Sequence, residues 1–103
     1  MTNLEMTSII ARACGWEVVE SRSDGVKVDS ERGTNWFLHF DNEADWFRAF
    51  DALGLAWMNL EKTSDGKWEC EVEHMCAEHP DRLTAMGLAL YAAARAKLGE
   101  AKP

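Results

Sequence analysis

The sequence predicts an α+β domain, and three observations carry that expectation. Apolar residues recur at helical spacing in three separated stretches, and short runs rich in Val, Trp and Phe lie between them. Gly, Asp and Ser punctuate the joins, as tight turns require. With 103 residues and a 47% hydrophobic composition, the chain can bury an ordinary core without a metal or disulfide staple. The expected layout is a single domain over residues 1–103. Helices pack on an antiparallel sheet as an α/β sandwich, and residues 98–103 form a frayed tail.

The first helix runs from Thr2 to Cys14. Met6, Ile9, Ile10 and Ala13 give it one apolar stripe, Thr2 or Asn3 can cap its start, and Gly15 is a natural left-handed stop. Trp16–Glu20 and Gly25–Asp29 read as two strands about the turn Ser23-Asp24-Gly25, and Asn35–Phe40 as a third. A second helix opens at Asp41 or Asn42. Glu43 and Asp45 complement the positive end of its dipole, Trp46, Phe47, Phe50 and Leu53 form its apolar face, and Gly54 ends it. In the last helix Leu83, Met86, Gly87, Leu90, Tyr91, Ala94 and Leu98 form the stripe. Pro80 fits its first turn and Gly99 closes it.

Leu55 to Met75 reads as a hairpin turning at Ser64-Asp65-Gly66, and the side chains choose its register. A two-residue turn would pair Leu60 with Glu71 and Met58 with Glu73, mixing apolar residues and charges on one face. A three-residue loop with Gly66 left-handed pairs Leu60 with Cys70 and Met58 with Val72 instead. One face then carries Ala56, Met58, Leu60, Trp68, Cys70 and Val72, and the other Trp57, Asn59, Glu61, Glu69, Glu71 and Glu73. The expected element order is therefore α-β-β-β-α-β-β-α.

The run Trp36-Phe37-Leu38-His39-Phe40-Asp41-Asn42-Glu43-Ala44-Asp45-Trp46 leads into a helix. A Trp-containing hairpin and an Ala-rich helix from Leu83 to Ala96 follow. This succession resembles the phage ABA sandwich domain family over roughly residues 36 to 96. The resemblance implies a fold and a phage or prophage setting, hence the host cytoplasm, and no site residues. Pro80-Asp81 and the preceding cysteine–histidine stretch depart from the pattern.

Eleven Lys and Arg against eighteen Asp and Glu leave a net charge of −7, which argues against nucleic acid or an anionic membrane as direct partner. The imbalance is concentrated: residues 41–81 carry −8 and the remainder +1. No apolar run approaches the ~18 residues of a membrane span, and the N-terminus lacks a secretion signal's basic and apolar regions. Three cysteines, Cys14, Cys70 and Cys76, make an odd set without framework spacing, as expected of reduced thiols in a cytoplasmic protein.

The stretch Cys70 to His79 holds the residues most suited to chemistry. Cys70 and His74, read on one extended strand, stand about 13 Å apart and cannot share an ion. His74, Cys76 and His79 remain as a three-ligand possibility, but a buried thiol and ordinary surface histidines are the preferred reading. A Cys76–His79 nucleophile would need an orienting group and an oxyanion pocket; Asp81 is the local candidate for the first, but an Asp at a helix start is more often a cap or dipole partner. The glycines are dispersed among turns, Gly33 included, and form no phosphate loop.

The expectation is thus a non-enzymatic binding module with no cofactor and no metal. Trp57, Glu61, Glu69, Glu71 and Glu73 are its contact residues for a protein partner with a basic surface. A structural homo-oligomer such as a homodimer is the alternative, and a Cys/His metal-binding protein is the least favoured reading.

Overall fold

A computed structural model describes residues 2–29, 35–73 and 75–99. Among them the chain forms α1 (Asn3–Ala13), β1 (Glu17–Arg22), β2 (Gly25–Asp29), β3 (Asn35–His39) and α2 (Glu43–Ala52). Then follow β4 (Met58–Lys62), β5 (Trp68–Val72), β6 (Met75–His79) and α3 (Arg82–Leu98). The class is α+β as expected, with one correction of order. A sixth strand, β6, precedes the last helix, and the strands form two antiparallel sheets, β1-β2-β3 and β4-β5-β6, where one was expected. The turn at Gly33, His74 and the tail at 100–103 lie outside the described residues.

The helices occupy the middle of the molecule and the sheets its outside. α1 packs on β1, β2 and β3 on one side and on α3 on the other, while α3 also packs on α2, β5 and β6. Hence α1 is apolar on two faces. Met6, Ile10 and Ala13 join the larger core, whereas Ala11 joins Val26, Val28 and Leu38 beneath the first sheet. Thr7 is buried too, and its hydroxyl donates to the Asn3 carbonyl at 2.7 Å, which satisfies it within the helix. The single stripe read from the sequence was one of two buried faces.

The first sheet turns Val26, Val28 and Leu38 toward the helices, with Val18 and Trp36 packed beside them. Val18, Val28 and Trp36 are in register, as are Ser21, Val26 and Leu38. Trp16 and Trp36 meet edge to face with centroids 4.6 Å apart, and the Arg48 guanidinium of α2 lies 4.4 Å from the Trp36 ring. Gly25 is the first residue of β2, not a turn residue. A Cβ there would meet the Leu38 carbonyl and stand 2.8 Å from Phe37.

Asn42 caps α2 by accepting the amides of Ala44 and Asp45. Asp45 is more than a dipole partner. It is buried, and its Oδ2 accepts the backbone N–H of His39 at 2.9 Å and lies 3.1 Å from His39 Nδ1. One carboxylate therefore fastens the end of β3 to the start of α2. Trp46, Ala49 and Leu53 are buried, but Phe47, expected inside, is 45% exposed. It adjoins Trp46 in sequence, about 100° round the helix from it, and falls off the buried face.

Asp81 caps α3, accepting the Thr84 amide at 2.9 Å and its hydroxyl at 2.7 Å. Pro80 therefore sits one residue before the cap and not in the first turn. Ala85, Met86, Gly87, Ala89, Leu90, Ala93 and Ala94 are buried, a wider face than the expected stripe. Leu98 ends the helix exposed. Small side chains dominate because α3 touches neighbours on several sides, and close approach of helix and sheet needs short side chains between them.

Candidate protein-interaction face

The second sheet turns one side to α3 and the other outward. Its first hairpin has the register chosen from the sequence: Met58 opposes Val72, Leu60 opposes Cys70, and Gly66 adopts φ 85° in the connecting loop. Thr63 N–H donates to the Lys67 carbonyl at 2.7 Å and closes that loop. Cys70 and Val72 are buried, with Met58, Leu60 and Trp68 packed against the same core.

β5 ends at Val72, where the sequence reading ran it on to His74. Val72 pairs with Met75, so the chain reverses between these two residues and returns as β6. Glu73 takes φ 52° there and its carboxylate accepts the Ala56 N–H at 2.9 Å. Of the five expected contact residues, Glu73 thus serves the turn, and the structure does not bring it into the strand face. Trp57 lies just before β4 and is 45% exposed. Glu61, Glu69 and Glu71 are on the outward side, and β6 adds Glu78, which sequence reasoning missed.

Register makes the arrangement specific. Glu61 opposes Glu69, and Glu69 opposes Glu78, so three carboxylates cross the sheet in one row. Asn59, Glu71 and Cys76 form the next row. Neighbouring strands lie about 4.8 Å apart, and rows on one face about 6.8 Å apart. Opposed like charges cost a few tenths of a kcal/mol per pair in water. The Lys67 ammonium offsets part of that, 3.6 Å from Glu78 Oε1, and Asn59 donates to Glu61 at 3.2 Å. The signal for Glu78 was the alternation Met75-Cys76-Ala77-Glu78-His79. It was masked because Glu73-His74 has none of the Gly, Asn or Asp that announces a two-residue turn.

The thiols have no activating surroundings. Burial pushes Cys14 up to about 12 against a small opposing effect of Lys97, and pushes Cys70 up to about 11 with a further contribution from Cys76. Cys76 is exposed on the acidic face. Its thiol is raised by desolvation and then by Glu69, Glu71 and Glu78, and this disfavours the thiolate that a nucleophile or metal ligand must be. Cys76 and His79 point to opposite sides of β6, since strand side chains alternate. His79 Nδ1 instead accepts the Asp81 N–H at 2.9 Å. Among the described residues no group of three or more His, Cys, Asp or Glu is disposed to hold a metal ion, nor is any helix long and apolar enough to cross a membrane.

Fold and face together define a two-sheet α+β domain with its helices inside and a carboxylate-lined sheet outside. No family model, curated protein or solved structure matches the chain.

Proposed function

We propose that this chain is a non-enzymatic binding module whose second sheet engages a basic surface on a protein partner. The row Glu61–Glu69–Glu78 carries the reading. Its mutual repulsion is relieved when cations arrive, so association is favoured and quickened at low salt. Trp57 stands exposed at the other end of the same hairpin and offers an aromatic anchor beside the charges. The resemblance of residues 36–96 to small phage proteins supports reading the chain as an accessory factor that acts in a host cytoplasm. A host protein that handles nucleic acid, inhibited or otherwise occupied by the module, has the required basic surface.

Self-association through this face is disfavoured, because a two-fold interface sets each glutamate row against its own copy. A homodimer would have to use an edge strand such as β4 or β6. Mass measurement in solution separates the two readings.

The test is retention of host proteins on the wild type and on a Glu61→Gln, Glu69→Gln, Glu78→Gln variant. Affinities of any retained partner are then measured at about 50 mM and about 300 mM salt. The expected outcome is a partner whose affinity falls with salt and falls in the variant, chiefly at the lower salt. A partner that binds both proteins equally at both salts removes the acidic face from its function.

A further inference from the structure

We propose that the cavity at the C-terminal end of α3 is a binding site for a small amphipathic anion, an apolar body of about a dozen non-hydrogen atoms carrying one carboxylate. The cavity measures about 370 Å³, inside the ~300–1,000 Å³ range of small-molecule sites and room for about a dozen atoms at ~30 Å³ each. It forms where three segments converge: the loop after α2, the β5–β6 turn and the last turns of α3. Leu53, Val72 and Ala93 are buried and make its floor, and the half-buried Leu55 and Met75 make its walls. That lining takes an apolar body and rewards no polar one.

The charge at the mouth selects the headgroup. Two ionisable side chains border it, Glu73 and Lys97. The Glu73 carboxylate keeps its charge but is pinned at the turn, where it accepts the Ala56 N–H at 2.9 Å. Among the described residues no carboxylate pairs with Lys97, and this exposed residue lines the cavity one helical turn after Ala93, on the same side of α3. A ligand with its apolar end on the floor therefore brings its headgroup to a cation. The site is separate from the acidic sheet face and does not depend on it.

Decanoate, decanol and decylamine share one chain and differ in the headgroup, so they test the idea directly. Each is titrated into the protein while the amide signals of Leu55, Val72 and Ala93 are followed by NMR. Decanoate is expected to give saturable shifts at those amides and to bind about five-fold or more tighter than decanol, with decylamine weaker still. Lys97→Gln should reduce decanoate to the level of decanol, and Ala96→Leu, at an exposed helical position lining the opening, should block all three. Three results overturn the proposal: no saturable shift at these amides up to about 5 mM decanoate, decylamine matching decanoate, or decanoate binding that Lys97→Gln leaves unchanged. Melting curves of both variants verify that a loss of binding is not a loss of fold.

Discussion

Gly87 on α3 and Trp46 on α2 are packed so closely that a Cβ on the glycine would stand 3.0 Å from Cζ2 of the indole and 2.9 Å from the Met6 methyl. Three helices meet at that one hydrogen atom. The methionine tip can move aside, but the indole is completely buried and has nowhere to go.

Gly87→Ala should therefore destabilise the protein even though alanine is the better helix former. Propensity favours the variant by about 1 kcal/mol, and overpacking costs about 1–3 kcal/mol. Urea unfolding should show a net loss of up to about 2 kcal/mol. A gain in stability would mean that α2 can slide away from α3.

Leu90→Ala tests the same helix by removal. Leu90 is fully buried, so the variant should lose about 2–5 kcal/mol and its melting temperature should fall steeply. A midpoint that barely moves would place Leu90 outside the core.

At the β5–β6 turn, backbone strain and a hydrogen bond can be separated. Glu73 is a non-glycine residue at φ 52° whose carboxylate holds Ala56. Glu73→Ala loses the bond and keeps the strain, whereas Glu73→Gly loses the bond and relieves the strain. Alanine should be the less stable of the two by about 1 kcal/mol in thermal unfolding. Equal stabilities would show that the backbone there is not held left-handed.

Acid should act through the α3 cap. The Thr84 hydroxyl and amide hold the Asp81 carboxyl below its ordinary 3.8, and the Arg82 guanidinium holds Glu43 below 4.5. A depressed folded value means stability fully present above the ordinary value and lost as pH falls through the lower, folded one. Asp81→Asn retains a capping side chain at neutral pH and removes its titration. Urea midpoints from about pH 7 to about pH 3 should thus decline less for the variant than for the wild type.

Thiol labelling reads the charge of the sheet. With a neutral alkylating agent near pH 8, Cys76 should react first and Cys14 and Cys70 only on unfolding. Glu69→Gln with Glu78→Gln should speed the Cys76 reaction, since those carboxylates suppress its thiolate. An unchanged rate would show that the field at Cys76 is set elsewhere.

Much of this molecule could be read from its sequence where a local rule had one solution. The register about Gly66 was fixed because only one pairing separated Leu60 and Cys70 from the glutamates. Side-chain chemistry at helix starts narrowed the caps to Thr2 or Asn3 and to Asp41 or Asn42, and the structure uses Thr2 and Asn42. What escaped depended on distant partners. The Ala11 face of α1 is buried only because a sheet lies over it, and alanine carries little pattern of its own. The reversal at Glu73 uses a conformation its residue type disfavours, so a strand was read as continuing and Glu78 was left off the face.

Because α1 is clamped between the first sheet and α3, the two ends of the chain depend on each other. During synthesis Met6 and Ile10 leave the ribosome well before α3, the helix that buries them. Everything from Glu17 to Asp81 must wait with that oily seam open, a long loop to close before its contacts reward it. Over that interval the seam stays exposed to water, and shortening α3 from its end would strand the first helix as surely as deleting it.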